Sequence, residues 1–159
     1  MKTKNSSFMT HAAMIAAIYV VLTFIFAPFS FGDIQVRISE ALTILPVFTP
    51  AAIPGLFVGC LIGNILGGAI LPDIIFGSLA TLLGACGTYV LRKHHQVLCT
   101  LPPIISNTVI IPLILRFGYG MKLPLPFLMF TLGVGEIISC GFLGLILYYA
   151  LKKYRKIIF

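Results

Sequence analysis

The sequence predicts an all-α integral membrane protein, a single domain over residues 1–159 built as a bundle of six transmembrane helices. Its residues are 59% apolar and only 9% charged, with a mean hydropathy of +1.09, whereas soluble domains are about 25% charged. A soluble domain of this size would lack the polar residues to cover its surface. Six helices of about 20 residues would use about 120 residues, so only short connections remain.

The first two helices are predicted at about 11–28 and 36–48, joined by an outer loop. Helix 1 ends at Pro28, because proline cannot continue a helix. Helix 2 has only 13 residues, or about 20 Å as an α-helix. It is therefore too short to cross a hydrocarbon core of about 30 Å unaided.

Helices 3 and 4 are predicted at 50–67 and 73–91. Thr49 followed by Pro50 matches an N-cap and a first-turn proline. Asp73 is interpreted in the same way, as the N-cap of helix 4. Four glycines in helix 3 recur at every fourth position and predict a ridge where a neighbouring helix can approach closely. They are Gly55, Gly59, Gly63 and Gly67.

The last two helices are predicted at 98–115 and 124–151. Three prolines in helix 5, Pro102, Pro103 and Pro112, are expected to bend it. Helix 6, at 28 residues, would be about 42 Å long. This exceeds the hydrocarbon core, so its basic end is expected to project into the cytoplasm.

Eight of the eleven basic residues fall in three clusters. These are Lys2 and Lys4, then Arg92 and Lys93, then Lys152, Lys153, Arg155 and Lys156. The positive-inside rule places all three clusters in the cytoplasm. The basic excess is thus interpreted as a sign of membrane topology, with both termini cytoplasmic, rather than of nucleic-acid binding.

Neither a metal site nor a cofactor is predicted. The four cysteines lack metal-ligand spacing and are interpreted as small packing residues; they are Cys60, Cys86, Cys99 and Cys140. The pair His94 and His95 has no third ligand nearby and is interpreted as part of a solvated loop.

Five polar side chains within apolar sequence are the candidate substrate-binding residues. They are Glu136, Glu40, Asn107, Arg37 and Asn64. A charged group at the membrane centre costs about 2.5–3.5 kcal/mol on insertion scales. The presence of each of these polar side chains therefore needs a functional or structural explanation. Structural alternatives stay open: Arg37 and Glu40 pair with each other, the two asparagines join helices, or Glu136 is a protonated packing residue.

Enzyme signatures are absent from the sequence. It contains no Walker motif, HExxH, GxSxG or paired-carboxylate signature of a phosphotransferase. Transport without catalysis is therefore favoured, and such a chain must use an ion gradient or borrow an ATPase. A small membrane enzyme that uses Glu136 as acid or base remains the alternative from a different class.

Four stretches carry a resemblance to a known family. They are VRISEALTILP at 36–46, TPAAIPGL at 49–56, GCLIGN at 59–64 and DIIFGSLATLL at 73–83. In these stretches, and in length and helix number, the chain resembles the QueT family, small membrane proteins regarded as substrate-binding S components of energy-coupling factor (ECF) transporters for queuosine precursors. The C-terminal third matches mainly in pattern.

The resemblance implies an ECF S-component-like fold and partners. The chain would capture its ligand outside, dock on a T component driven by two ATPase subunits, and release the ligand inside. In S components small residues of helix 1 form the docking face, which points here to Ala12, Ala13, Ala16 and Ala17.

The ligand implied is 7-aminomethyl-7-deazaguanine. A carboxylate can accept its adjacent N–H donors, an amide or guanidinium can donate to its carbonyl oxygen, and its cationic aminomethyl group favours a second carboxylate. Glu136 and Glu40 are expected to bind it, assisted by Asn107, Asn64 and Arg37. Three loop aromatics are candidates for stacking on the ring or for interfacial anchoring: Phe31, Phe117 and Tyr119. An S component for another planar vitamin is the nearest alternative.

Overall fold

Six helical segments form the protein in a computed structural model that describes residues 2–26 and 37–154. We number them helix 1 to helix 6. In order they are Lys2–Ile25, Ile38–Val47, Ala52–Leu66, Asp73–Leu91, Gln96–Gly118 and Leu125–Lys152. No strand occurs in these described ranges. The predicted all-α class and the count of six helices are confirmed.

Successive helices run in opposite directions, so helix 1 begins and helix 6 ends at the same end of the bundle. At that end, which we call the basic end because it carries Arg92 and Lys152, Gln96 donates to the Tyr148 hydroxyl at 3.2 Å. At the opposite end, the Asp73 end, the Tyr119 hydroxyl donates to Asp73 at 3.0 Å.

Four of the helices are long and apolar enough to cross a membrane. These spans are Ser6–Ile25, Asp73–Leu91, Gln96–Gly118 and Leu125–Lys152. Large apolar side chains face outward from them, for example Val90 at 72% exposed and Phe117 at 78%. A surface of this kind is stable in lipid and unstable in water. The chain is a membrane protein.

Helices 2 and 3 are too short to span the core. Helix 3 has 15 residues, or about 22 Å. The expectation that helix 2 is short is correct, but it is a 3₁₀ helix of 10 residues rather than an α-helix. A 3₁₀ helix rises about 2.0 Å per residue against 1.5 Å in an α-helix, so the same residues reach about 20 Å rather than 15 Å.

The glycine ridge of helix 3 packs against helix 1. A Cβ added at Gly55 would lie 2.7 Å from the Ala12 carbonyl oxygen, and one at Gly59 would lie 2.8 Å from Cβ of Tyr19. At Gly63 the contact loosens to 3.6 Å, and Gly67 is the exposed C-cap of the helix. The predicted close approach is confirmed at Gly55 and Gly59.

Helix 5 continues through all three of its prolines. Helix 4 supplies a matching surface, since a Cβ at Gly84 would lie 2.6 Å from Cα of Pro103. The glycine therefore lets the proline pack against the backbone of helix 4. This second glycine contact was not among the sequence-based predictions.

The predicted start of helix 1 is wrong, and helix 5 begins two residues before its predicted start. Helix 1 begins at Lys2 instead of residue 11, because its polar first turns are helical although they are not apolar; there the Thr10 hydroxyl donates to the Ser6 carbonyl at 2.9 Å. Its predicted end at Pro28 lies outside the described residues. Helix 5 begins at Gln96, since the exposed His95 caps it through Nδ1, which accepts from the Val97 N–H at 3.4 Å.

Neither of the two predicted N-caps is observed. Helix 3 begins at Ala52, but the Thr49 hydroxyl accepts the Ala51 N–H at 3.3 Å in the turn before it. Asp73 is instead the first residue of helix 4 and makes no capping bond. The Asp73 prediction is wrong because its carboxylate faces Arg37 and Tyr119.

Candidate functional site: a buried polar cluster

Two carboxylates meet inside the bundle, where helix 2 packs against helix 6. Glu40 is 0% exposed and Glu136 is 3% exposed. A carboxylate oxygen of each and the Cys140 sulfur all lie within 4.8 Å of one another. Two of the predicted binding residues, 96 positions apart in the sequence, are therefore brought together away from lipid.

Glu40 is held through one of its two oxygens. Its Oε1 accepts from the Tyr19 hydroxyl of helix 1 and, at 3.4 Å, from the Thr81 hydroxyl of helix 4. Its Oε2 is buried and has no hydrogen-bond partner among the described residues. One acceptor atom of this carboxylate is thus left for a further donor.

Glu136 is held through both oxygens. Asn107 donates from Nδ2 to Oε1 at 3.1 Å, and the Cys140 thiol donates to Oε2 at 3.1 Å. Asn107 was predicted at the site, and its Oδ1 is buried without a partner in the part of the chain that the structure describes. The amide consequently joins helix 5 to helix 6 and keeps one acceptor free.

Among the described residues, buried polar atoms without a hydrogen-bond partner occur at the two acids and also at the Asp73 end, where Oδ1 of Asp73 is one of them. Besides the two acceptors, the hydroxyls of Ser139 and Thr108 are buried without a partner among the described residues. Leaving such an atom unpaired costs about 1–3 kcal/mol, so clusters of them in native proteins call for an explanation. A bound ligand rich in N–H donors would satisfy the acceptors.

A second polar group lies at the Asp73 end. The Arg37 guanidinium is 3.9 Å from Oδ2 of Asp73, and this carboxylate also accepts from Tyr119. The Tyr119 hydroxyl in turn accepts from the Ile70 N–H at 3.3 Å. Partial burial raises the pKa of this hydroxyl, which keeps it a neutral donor. These contacts join the segment before helix 2, the connection between helices 3 and 4, and the connection between helices 5 and 6.

Asn64 belongs with this second group. Its Nδ2 donates to the Asp73 carbonyl oxygen at 3.3 Å and to the Cys60 sulfur at 3.7 Å. The first bond joins helix 3 to the start of helix 4. Its contacts match the structural alternative, an amide that holds two helices together.

The loop aromatics are not gathered at the acids. Phe117 is exposed and lines an apolar groove of about 560 Å³ between helices 4 and 5. The groove also contains Pro72, Phe76, Leu79, Leu83, Ile110, Leu113, Ile114 and Gly118. Tyr119 binds Asp73, and Phe31 lies outside the described residues.

Glu40, Glu136 and Cys140 form a donor set that could in principle hold one metal ion. A metal-bound cysteine has lost its thiol proton, whereas the Cys140 thiol donates to Glu136. A metal ion held by this set would therefore replace the hydrogen bond between Cys140 and Glu136.

The polar cluster falls within residues 9–153, over which the chain matches the family model described as QueT transporter. The chain belongs to the QueT transporter family. By that description, the members of this family are transporters. The resemblance predicted from the sequence is confirmed.

A curated QueT relative matches part of the chain. The queuosine precursor transporter QueT of Lactococcus lactis subsp. cremoris (strain MG1363) is 37% identical over 84 residues. The match covers 52% of this chain and about half, 48%, of the relative's own length. No solved structure matches the chain.

Helix 1 of this QueT-family chain divides its four candidate docking alanines into two pairs. Ala12 and Ala16 face the glycine ridge of helix 3, and Ala16 is 7% exposed. Ala13 and Ala17 are exposed on another face. The alternative of internal packing thus describes the first pair, and only the second pair is accessible to a partner.

Three residues of the site were missed by sequence reasoning. Tyr19 carried a usable signal, because a tyrosine within a spanning helix needs a partner for its hydroxyl. Cys140 follows Glu136 by four residues, a spacing that places both on one helix face, yet it was interpreted as a packing residue. Thr81 gave no signal, since threonine commonly bonds its own helix backbone.

Proposed function

We propose that the chain is the substrate-capture component of an ECF importer. It binds a queuosine precursor, 7-aminomethyl-7-deazaguanine, outside the cell and delivers it inward with a T component and two ATPase subunits. Membership of the QueT transporter family and a relative named as a queuosine precursor transporter support this proposal. The observation that carries it is the enclosed pair of acids, Glu40 and Glu136, with unpaired acceptors beside it.

The chemistry of this ligand complements those acceptors. Its guanine-type edge presents adjacent N–H donors, for which the free oxygens of Glu40 and Asn107 are suitable acceptors. Its carbonyl oxygen needs a donor, and the hydroxyls of Ser139 and Thr108 are unpaired among the described residues. Its aminomethyl cation would balance charge beside two carboxylates, which are costly to bury unpaired.

Arg37 and Asn64 assist indirectly in this proposal. Both contact Asp73, and neither is needed to touch the ligand. Their role is to hold helices 2, 3 and 4 together at the Asp73 end, beside the cluster.

The proposed orientation places the basic end in the cytoplasm of a bacterial cell, together with both termini. Arg92, Lys93, Lys152 and Lys153 are exposed at this end, as the positive-inside rule requires. The Asp73 end then faces the exterior, from which the ligand enters. The exposed pair Ala13 and Ala17 on helix 1 is the proposed docking face for the T component.

Another planar vitamin is the second candidate ligand, since the family assignment rests on sequence and the cluster would accept other N–H donors. The acid pair favours a cationic ligand. Calorimetry on the purified protein should therefore give nanomolar to micromolar affinity for 7-aminomethyl-7-deazaguanine and weaker binding of the neutral 7-methyl analogue. Selective binding of an unrelated vitamin would contradict the purine assignment.

Glu136→Gln and Glu40→Gln should each weaken binding by about 10- to 100-fold, since hydrogen bonds to charged groups contribute about 1.5–3 kcal/mol. The two variants also show which of the two carboxylates faces the aminomethyl group of the ligand. In the variant that lacks the carboxylate facing the aminomethyl group, the cationic and neutral ligands should bind almost equally. Unchanged affinity in both variants would place the ligand elsewhere.

A further inference from the structure

We propose that Tyr19 is a positioning residue for ligand binding, acting through Glu40. It holds one carboxylate oxygen so that the other, Oε2, stays directed at the ligand. This inference rests on the proposed function, because it assumes that Glu40 binds the ligand.

The position of Tyr19 is set by packing. The residue is 2% exposed, and Gly59 of helix 3 lies directly against it, with room for no side chain. Cβ of Tyr19 is thus held against helix 3, the side chain is buried in a cluster with Leu56 and Cys60, and its hydroxyl donates to Oε1 of Glu40. A donor presented in this way loses little entropy when it holds the carboxylate.

Of the two donors to Glu40, Thr81 has competing acceptors, whereas the Tyr19 hydroxyl donates to Glu40. The Thr81 hydroxyl has one proton and has two other acceptors within reach, the Gly77 carbonyl at 3.2 Å and the Cys60 sulfur at 3.4 Å. Its distance to Glu40 is the longer 3.4 Å. The orientation of the carboxylate therefore depends chiefly on Tyr19.

A neighbouring bond provides a matched control. The Thr23 hydroxyl is 2.9 Å from the Ser39 hydroxyl, and this contact joins helix 1 to helix 2 one turn away from Tyr19. It involves no atom of Glu40. Thr23→Val removes a hydroxyl from the same interface, and Tyr148→Phe removes a tyrosine hydroxyl at the basic end of the bundle.

The test is calorimetry with 7-aminomethyl-7-deazaguanine on purified wild-type, Tyr19→Phe, Glu40→Gln and double-variant protein. Tyr19→Phe keeps the ring and should weaken binding about tenfold, the effect of a lost bond to a charged group. Thr23→Val and Tyr148→Phe should change affinity less than threefold. On the Glu40→Gln background, Tyr19→Phe should add less than a twofold loss, because coupled residues are non-additive.

An infrared measurement without ligand separates positioning from general packing. The carboxyl stretching band of Glu40, identified by its loss in Glu40→Gln, should shift in Tyr19→Phe and stay in place in Thr23→Val. If Tyr19→Phe fails to fold, replacing Tyr19 alone by 3-fluorotyrosine, a stronger hydrogen-bond donor, should shift the same band.

The outcomes are distinguishable. If the wild-type protein binds no 7-deazaguanine, the proposed function fails, and the infrared band still tests the contact of Tyr19 with Glu40. If the wild type binds and Tyr19→Phe binds equally well, the positioning role is overturned. An equal loss on both backgrounds, or a band that does not move with either replacement, also overturns it.

Discussion

Asn64 and Asn107 are both buried amides within apolar helices, and they have different partners. Asn64 donates to a backbone carbonyl of the next helix. Asn107 donates to Glu136 and leaves its oxygen unpaired among the described residues. Asn64 lies near the end of helix 3 and Asn107 near the middle of helix 5. Their contacts distinguish an amide that joins helices from one that faces the candidate ligand site.

Alanine at Asn64 should therefore reduce mainly stability, and alanine at Asn107 should reduce ligand affinity. Asn64→Ala should lower the free energy of unfolding by about 1–3 kcal/mol and change ligand affinity less than threefold. Asn107→Ala should reduce affinity at least tenfold, because it removes both a ligand acceptor and the donor that orients Glu136. Thermal melting and calorimetry measure the two quantities. The reverse pattern would exclude Asn107 from the site.

At the scale of the element, the contact between helices 1 and 3 depends on the absence of side chains at particular glycines. Gly59 lies against Tyr19 and Ala16, where an added Cβ would be 2.8–3.1 Å from existing atoms. At Gly63 the nearest atoms, those of Thr23, are at 3.6 Å or more. An added Cβ at Gly59 would therefore force the two helices apart. One at Gly63 would make an ordinary van der Waals contact.

Gly59→Ala should consequently reduce the free energy of unfolding by about 1–3 kcal/mol, as overpacking of a close contact does. It should also weaken ligand binding, since it displaces Tyr19 and with it the donor to Glu40. Gly63→Ala is the matched control and should be within about 0.5 kcal/mol of wild type. Equal melting temperatures for the two variants would mean that helix 1 adjusts without cost.

Helix number and most helix bounds could be predicted from the sequence. The 73–91 prediction for helix 4 coincides with the observed helix, and helix 6 differs by one residue at each end. Apolar length and flanking proline or basic residues specify such spans. The start of helix 1 could not be found in this way, because polar turns outside the hydrocarbon carry no hydropathy signal.

The partners of the polar residues were harder to predict than the helices. The cost of a buried charge singled out Glu40, Glu136 and Asn107, and these three do come together. The same rule could not show that Arg37 faces Asp73, because their contact depends on how helices 2 and 4 meet. Side chains paired across distant helices leave no local spacing in the sequence.

At the scale of the whole molecule, two of the six helices are too short to cross a membrane, and one of them carries Glu40 in its first turn. Helix 2 is surrounded by helices 1, 4 and 6, so this acid is shielded from lipid on every side. The longer helices supply the lipid-facing surface. Of the two acids, Glu40 thus lies on a short interior helix, whereas Glu136 lies on helix 6, which also has large apolar side chains exposed, such as Phe130 and Phe142.

The exposed face of helix 1 is where a partner subunit could reach the molecule without disturbing that interior. Replacing both Ala13 and Ala17 by Trp should prevent co-purification with co-expressed T component and ATPase subunits, because close helix packing requires small residues. Ligand affinity should stay within threefold, since neither side chain faces the cluster. Ala16→Trp is the contrasting variant: it faces Gly59, so it should destabilise the isolated protein itself. A complex that survives the double replacement would show that docking uses another face.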